Sequence, residues 1–335
     1  MIGYYVHHHG AGHAQRFCAV REHLGGQLIG LGSGPRPRDV PASAWVALAH
    51  DATTTPDDPD AGGSLHWAPL HDRGLRQRTT QLAAWAQAHD PDGLVVDVSV
   101  EVALTARLLG LPTVVVAQHG TRADGPHELA YRSARAVAAL WHEGQHPMPP
   151  GARHVVHVGP LSRFDARIEP GAEASAARPA GDRRQVLLMA GAGGHELDAG
   201  AVASAVDATA GSWDWDVLAS GLPRSRDADA DGVWAALGAA DVVVAAASNN
   251  CIGEVAAARR PLIAVPQPRP FREQHAHAGL LAERGLATVL DTWPEASRWP
   301  QLLEQAAARG GAAWAPHHDG RGAQRFAAAI REALA

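Results

Sequence analysis

The stretch GLVVDVSVEVALTARLLGLPTVVVA, residues 93–117, shows how this chain is built. A run of apolar, mostly β-branched residues at 93–98 is followed by a segment at 101–109 whose apolar residues have helical spacing. A second apolar run follows at 112–117. Continuous apolar runs are typical of parallel strands, because helices cover both faces of a parallel sheet. The stretch therefore predicts a strand, a helix and a second strand of one parallel sheet.

The same alternation continues on both sides of this stretch. In the first half it predicts a helix at 75–88, a short strand near Trp45 and strands at 2–6, 27–31 and 137–141. In the second half it predicts strands at 185–190, 215–220, 241–247, 261–266 and 287–291. Between the halves, residues 143–182 are dense in Pro, Gly and Ala, which favours a connection with a domain boundary near Gly159 and Pro160. We therefore predict an α/β protein of two Rossmann-like domains.

Length and composition exclude several classes of protein. At 335 residues the chain exceeds the usual size of one hydrophobic core, and a formal net charge of −6 disfavours nucleic acid as a partner. Cys18 and Cys251 lie far apart without metal-ligand spacing, and no leader pattern precedes the first strand, so we expect a cytoplasmic protein. No apolar run reaches the roughly 18 residues of a spanning helix, which leaves only peripheral contact with a membrane surface open.

The first glycine loop, VHHHGAGH at 6–13, suggests a catalytic base. Gly10 and Gly12 allow the backbone to approach an acceptor or a phosphate closely. His13 then lies at a helix N-terminus, where the helix dipole favours the neutral imidazole that a general base requires. The alternative is that His13 only caps a helix on the surface. Gln15 stands where a dinucleotide fingerprint has its third glycine, which argues against NAD or FAD, and consecutive histidines on alternating faces argue against a metal site.

Asp97 is the candidate partner of this histidine. It stands at the carboxyl end of a predicted strand, the edge at which open α/β sheets bind ligands. From there its carboxylate would orient His13 and stabilise the imidazolium. Glu101 is a competing carboxylate, and a helix N-cap is the alternative role for Asp97.

The stretch SNNCIGEVAAARRPLIAVPQPRPFREQHAHAGLLAERG, residues 248–285, predicts a site for a phosphorylated sugar. A helix begins at Asn249, Asn250 and Cys251, so its exposed N–H groups and positive end suit a phosphate. Glu254, about one turn later, suits two ribose hydroxyls. Polar residues of the next loop suit a sugar, and they are Arg269, Arg272, Glu273 and Gln274.

This stretch resembles the donor-nucleotide signature of the MurG-like and UDP-glycosyltransferase superfamily, whose enzymes have the GT-B fold. HHHGAGH resembles the first glycine loop of that family, and GAGGHE, with Gly191, Gly193 and Gly194, resembles its second-domain loop. The resemblance implies that Glu254 binds the ribose and that Asn250 and Cys251 bind the pyrophosphate. It also implies that Glu273 and Gln274 bind the transferred sugar, and that His13 and Asp97 form a base dyad.

The expected protein is an inverting, metal-independent glycosyltransferase of the hexosyltransferase type without a cofactor. Residues 1–159 would form an acceptor domain and 160–318 a nucleotide-sugar donor domain, facing each other across a cleft. A C-terminal helix in 319–335 would pack back on the first domain. The donor would be a UDP-sugar and the acceptor a hydroxyl compound. The alternatives are a nucleotide-sugar epimerase or hydrolase on the same fold, and a non-catalytic protein that binds a nucleotide sugar.

Overall fold

The computed structural model describes residues 1–168, 183–191 and 194–335, so Gly193 lies outside the described residues. Twelve strands in this part of the chain form two sheets, and every pairing is parallel. The first sheet contains β1 (Ile2–Val6), β2 (Leu28–Gly32), β3 (Trp45–Ala47), β4 (Gly93–Asp97), β5 (Thr113–Ala117), β6 (Ala136–Ala139) and β7 (Val155–His157). The second contains β8 (Arg184–Met189), β9 (Trp213–Leu218), β10 (Val242–Ala245), β11 (Leu262–Ala264) and β12 (Ala287–Val289).

Eleven α-helices connect or flank these strands in the described residues. They are α1 (Gly12–Leu24), α2 (Arg73–His89), α3 (Val100–Leu108), α4 (Gly125–Ser133), α5 (Ala199–Thr209), α6 (Ala230–Ala239), α7 (Asn249–Ala257), α8 (Glu273–Glu283), α9 (Trp299–Arg309), α10 (Trp314–His317) and α11 (Gly322–Leu334). None of these helices is both long and apolar enough to cross a bilayer.

The chain divides into two compact units. Unit 1 comprises Met1–Gln118, Arg122–Gly159 and Gly322–Ala335, and unit 2 comprises His119–Thr121 and Pro160–Arg321. Each unit is an α/β structure with its own sheet and core. In unit 2, apolar side chains pack on both faces of the sheet, with Val243 and Ile252 in one cluster and Val244 and Trp299 in the other. The buried apolar faces explain why these strands are continuous apolar runs in the sequence.

The order of the strands fixes where each unit can hold a ligand. The first sheet has the order β3-β2-β1-β4-β5-β6-β7 and the second has β12-β11-β10-β8-β9. In the first, chain connections run in opposite directions from β1 and β4, and in the second from β8 and β10. At such a switch point the loops beyond the carboxyl ends of the two central strands diverge and leave a crevice. Ligand sites are therefore expected at the loops after β1, β4, β8 and β10.

The C-terminal helix α11 belongs to unit 1. It packs on α1, β5 and β6, and its buried face includes Phe326, Ile330 and Leu334. Arg325 Nε donates to the carbonyl of Val158 at 2.7 Å. The ring of Phe326 is 6.5 Å from that of Tyr4, in an edge-on arrangement. The last helix therefore completes the core of the unit that the first strand begins.

The predicted elements are confirmed, with ends shifted by three residues at most, and β1 has the predicted bounds. The prediction that 143–182 is only a connection is wrong at β7, which pairs with β6 at the edge of the first sheet. β7 has three residues between Gly151 and Gly159, too few to give a periodic pattern. An edge strand of this length also needs little apolar surface, so composition does not reveal it.

Candidate active site

The first site lies at the switch point of unit 1. β1 pairs with β4 so that Val6 is opposite Asp97, and Gly10, with φ of 77°, lets the chain turn from β1 into α1. His13 is the second residue of α1, and its Nδ1 lies 3.1 Å from Oδ1 of Asp97. The distance suits an ion pair, although the nitrogen is not aligned for a hydrogen bond. The structure thus brings together two residues that are 84 positions apart in the sequence.

Two further side chains hold the carboxylate of Asp97. Arg16 Nη1 lies 2.5 and 2.7 Å from its two oxygens, and the hydroxyl of Tyr4 donates to Oδ2 at 3.1 Å. Asp97 is fully buried and Arg16 is 3% exposed. Burial alone would raise the pKa of Asp97, but the positive charges of Arg16 and His13 outweigh it and hold the pKa well below its usual range. The carboxylate is therefore ionised throughout the neutral range.

Neither alternative role holds for these two residues. The N-cap of α1 is Ala11, which has no capping side chain, so His13 is not a capping residue. The N-cap of α3 is Ser99, whose hydroxyl accepts from Val102 N, so Asp97 does not cap that helix. Glu101 accepts from the amides of His66 and Trp67, contacts that belong to another part of the unit.

Three histidines of the first loop form a row that disfavours positive charge. The ring of His7 lies 4.7 Å from that of His8 and 5.4 Å from that of His13. Burial, together with the charge of the neighbouring His13 and His8, lowers the pKa of His7 to about 3. His7 therefore stays neutral next to the candidate base, so it does not compete for a proton near pH 7.

The second site lies at the switch point of unit 2. After β10 the chain enters α7, where Ser248 is the N-cap and its hydroxyl accepts from Cys251 N at 3.4 Å. Asn249 and Asn250, both partly buried, are the first two helical residues. The thiol of Cys251 is buried in the core, and burial raises its pKa to about 11. A ligand at this helix end would therefore meet main-chain groups and the asparagine side chains, because the thiol points into the protein.

Glu254 is buried one turn further along α7. It is 5% exposed, and Arg163 Nε lies 2.8 Å from its Oε1. Burial raises the pKa of Glu254, and the charge of Arg163 offsets only part of that effect. The segment that carries Arg163 packs closely on α7, because a Cβ added at Gly253 would lie 2.5 Å from the carbonyl oxygen of Leu161.

Hydrogen bonds connect the loop after β8 with the loop after β11, next to α7. Gln267 Oε1 accepts from Glu196 N at 2.8 Å, and the guanidinium of Arg269 donates to the carbonyl of Gly194. Gly194 has φ of 86°, a conformation that favours glycine. A Cβ built on Gly191 would lie about 4 Å from Cys251 Sγ. A small pocket, partly open to solvent, lies at the carboxyl ends of β8, β10 and β11. Its lining includes Met189, His195, Ala246, Gln267 and Trp293.

The predicted sugar-binding residues lie at the start of α8. Phe271 and Arg272 both have positive φ, 58° and 54°, so the backbone just before the helix is strained. Glu273 is partly buried at the first helical position. Gln274 is 4% exposed, and its Oε1 accepts from Gln267 N at 2.8 Å. Gln274 therefore fixes the loop of Gln267.

Solved structures of several other proteins share the fold of this chain over nearly its full length. MurG of Acinetobacter baumannii is 18% identical with a TM-score of 0.60, and the match covers 99% of this chain and 100% of that one. The spinosyn rhamnosyltransferase SpnG, complexed with thymidine diphosphate, is 16% identical with a TM-score of 0.59, covering 99% of each chain. The chain has the GT-B fold.

The GT-B fold is not confined to sugar transferases. A putative UDP-N-acetylglucosamine 2-epimerase from Listeria monocytogenes is 13% identical to this chain with a TM-score of 0.67, and the match covers 99% of this chain and 95% of that one. No family model matches the chain, and no curated protein matches it in sequence. At these identities the likeness establishes the GT-B fold alone, because one fold supports different chemistries.

Four residues of the two candidate sites were not predicted from the sequence. These are Tyr4 and Arg16 around Asp97, Ser248 at the start of α7 and Arg163 beside Glu254. Arg16 had a local signal, since it follows His13 by three positions and so shares a helix face with it. Ser248 had one too, as a capping residue type at a helix start. Arg163 had none, because 91 residues separate it from Glu254.

Proposed function

We propose that this protein is an inverting glycosyltransferase that moves a sugar from a nucleotide-sugar donor to an acceptor hydroxyl. The observation that carries the proposal is the pair of His13 and the buried Asp97 at the switch point of unit 1. Its support from the fold is the similarity to glycosyltransferases over the full chain. A uridine diphosphate sugar is the expected donor, on the resemblance of residues 248–285 to the family signature.

The base chemistry follows from the geometry around His13. Its Nδ1 faces Asp97, so Nε2 is the nitrogen that would accept the proton of an acceptor hydroxyl. As the hydroxyl attacks the anomeric carbon, positive charge develops on the imidazole and the ionised carboxylate of Asp97 stabilises it. A single displacement of this kind inverts the anomeric centre. A general base contributes roughly 10² to 10⁴ in rate.

The donor is assigned to unit 2. The first turn of α7, at Asn249 and Asn250, would bind the diphosphate through main-chain amides and the positive helix end. Gly191 and Gly194 would let the neighbouring loop approach the same group, and Glu254 would accept from the ribose hydroxyls. Arg269 and Arg272 supply positive charge for the leaving diphosphate, so the transfer step has no strict need for a divalent metal.

The transferred sugar is assigned to the start of α8. Glu273 would accept from sugar hydroxyls. The carbonyl oxygen of Gln274 accepts from Gln267 N, so its Nε2 is the group that would donate to the sugar. The base in unit 1 and the donor in unit 2 would have to meet at one anomeric carbon, which is the geometric requirement of this proposal.

Two measurements on the purified chain test the proposal in order. First, a thermal-shift screen against nucleotide sugars with UDP, dTDP and GDP heads identifies the donor, since a ligand stabilises the native state according to its occupancy. Second, release of free nucleotide from that donor is followed with and without a set of acceptor alcohols. We expect release that depends on acceptor, with a new glycoside of inverted anomeric configuration. If a nucleotide sugar binds but is not turned over, the protein is a non-catalytic nucleotide-sugar-binding protein.

A nucleotide-sugar epimerase or hydrolase is the second candidate, because the putative UDP-N-acetylglucosamine 2-epimerase from Listeria monocytogenes shares the fold. The same assay separates the two. An epimerase or hydrolase would release nucleotide or form an isomeric sugar in the absence of any acceptor alcohol, and neither rate would rise when an acceptor is added.

A further inference from the structure

Two groups of side chains in the described residues bring three metal-ligating atoms within 4.8 Å of one another, and both are in unit 1. One consists of His8, His50 and Asp51, and the other of His66, Asp124 and His127. Each combines two imidazoles with one carboxylate, so composition does not separate them. The two groups differ in their hydrogen bonds.

The group of His66, Asp124 and His127 is internally satisfied. One oxygen of Asp124 lies 2.9 Å from His66 Nε2, and the other lies 2.7 Å from His127 Nδ1. Arg122 Nη1 lies 3.2 Å from His127 Nε2, and a guanidinium can only donate, so the ring proton of His127 is on Nδ1 and faces Asp124. A metal ion here would have to displace both protons and lie beside the charge of Arg122.

In the group of His8, His50 and Asp51, two buried atoms have no hydrogen-bond partner. Asp51 is 2% exposed, and its Oδ2 lies 2.6 Å from Arg78 Nη2, whereas its Oδ1 is buried without a hydrogen-bond partner. His8 Nδ1 is also buried without a partner. Buried polar atoms without partners are unfavourable and uncommon in native proteins, so two of them in one group of metal-ligating side chains point to a ligand that binds there.

The remaining imidazole is accessible. The rings of His8 and His50 are 4.4 Å apart, and His50 is exposed. His50 Nδ1 accepts from Ala52 N at 3.1 Å, which places the ring proton of a neutral imidazole on Nε2. A metal at Nε2 therefore requires the other tautomer of His50 and the loss of this one local hydrogen bond.

We propose that His8, His50 and Asp51 bind one divalent transition-metal ion of the zinc class, with a fourth coordination position open to water. Two imidazoles and one carboxylate suit Zn²⁺, Co²⁺ or Ni²⁺, whereas Mg²⁺ and Ca²⁺ prefer oxygen ligands alone. The open position follows from having three protein ligands. All three ligands belong to unit 1, and binding of the metal can be measured without any sugar transfer.

The ring of His7 lies between this metal site and the candidate base His13. The ring of His8 stacks at 4.7 Å on that of His7, and the ring of His7 is 5.4 Å from that of His13. His8 lies in the loop after β1, and His50 and Asp51 lie in the loop after β3. The carboxyl ends of these parallel strands lie at the same edge of the sheet. Consecutive histidines on alternating faces cannot bind one metal ion together, whereas His8 and His50, 42 positions apart, lie close enough to do so.

Titration of Zn²⁺ into the full-length, chelator-treated protein by calorimetry tests this proposal. We expect one site well above the weak background that 20 histidines give, and no comparable site for Mg²⁺. His50→Ala should weaken the site by at least about tenfold, since even partners of metal ligands are worth 10- to 100-fold. His66→Ala, which removes an imidazole from the satisfied group, is the matched control and should bind Zn²⁺ as the parent does.

Because His50 is exposed, its replacement does not disturb the core, and circular dichroism of each variant verifies folding. His8→Gln provides a second variant with the same expected loss. Bound Co²⁺ should give the visible absorption of a low-symmetry site in the parent and in His66→Ala only. Unchanged Zn²⁺ affinity in both His50→Ala and His8→Gln, loss of the site in His66→Ala, or no site in the parent would each overturn the proposal.

Discussion

Arg16 binds the carboxylate of Asp97 through one guanidinium nitrogen placed 2.5 and 2.7 Å from its two oxygens, out of contact with water. This pair explains why a buried carboxylate stays ionised next to a candidate base. It also makes each partner depend on the other, because a charge left alone in the core of unit 1 is unfavourable.

Asp97→Asn should therefore destabilise unit 1 by about 3 kcal/mol or more, since Arg16 would remain buried without a counter-charge. Unfolding by urea, monitored by circular dichroism, measures the change. The double variant Asp97→Asn with Arg16→Met removes both charges and should recover part of the lost stability without recovering sugar transfer. If Asp97→Asn alone unfolds like the parent, the ion pair is not a structural element of unit 1.

His13→Ala should lower turnover by roughly 10² to 10⁴ while nucleotide affinity stays within twofold, since the diphosphate is assigned to unit 2. His9→Ala is the matched control, because His9 is an exposed histidine in the same loop. Steady-state rates and calorimetry on both variants provide the comparison. Equal turnover in His13→Ala and His9→Ala would remove His13 from the mechanism.

Glu254→Ala should weaken binding of a ribonucleoside diphosphate and abolish the preference for it over the 2′,3′-dideoxy analogue. The preference depends on the ribose hydroxyls that donate to this carboxylate. The substitution removes the acceptor and the dideoxy analogue removes the donors, so both remove the same contact. Calorimetry with both nucleotides on the parent and the variant gives the four affinities. Glu283→Ala, at the far end of α8, is the control. Additive losses would show that Glu254 does not touch the ribose.

Two helical glycines should respond to alanine in opposite directions. At Gly253 the new Cβ would lie 2.5 Å from the carbonyl oxygen of Leu161, so Gly253→Ala should cost about 1 to 3 kcal/mol and weaken nucleotide binding. At Gly279, in α8, no atom lies within 4 Å of that Cβ, so Gly279→Ala should stabilise by about 0.5 to 1 kcal/mol. Urea midpoints compare the two, and equal shifts would contradict the close packing of α7.

Stability should fall as the pH drops from about 7 towards 4. Burial lowers the pKa of His7 to about 3 and that of His127 to about 4, whereas both rings have ordinary values in the unfolded chain. The unfolded state therefore binds more protons across this range, so protonation pulls the equilibrium towards it. Urea unfolding at a series of pH values measures the slope, and His7→Asn should make it shallower. A slope that the substitution leaves unchanged would show that His7 is not one of the groups responsible.

Asp97 should add nothing to this slope. Its folded pKa is below its unfolded value, so its contribution is complete above the unfolded pKa and is lost only at more acidic pH. The decline between pH 7 and 4 is thus assigned to buried imidazoles, which makes His7→Asn the informative variant.

The sequence by itself determined the two α/β sheets, because parallel strands buried on both faces have to be continuous apolar runs. It also placed His13, Asp97 and the start of α7 at carboxyl ends of strands, where crevices form. It did not determine what each side chain contacts. The pairing of Arg16 with Asp97, of Arg163 with Glu254, and of His8 with His50 and Asp51 joins residues from separate elements. Only tertiary structure decides these contacts, since strand order and helix packing set distances between residues that sequence spacing leaves open.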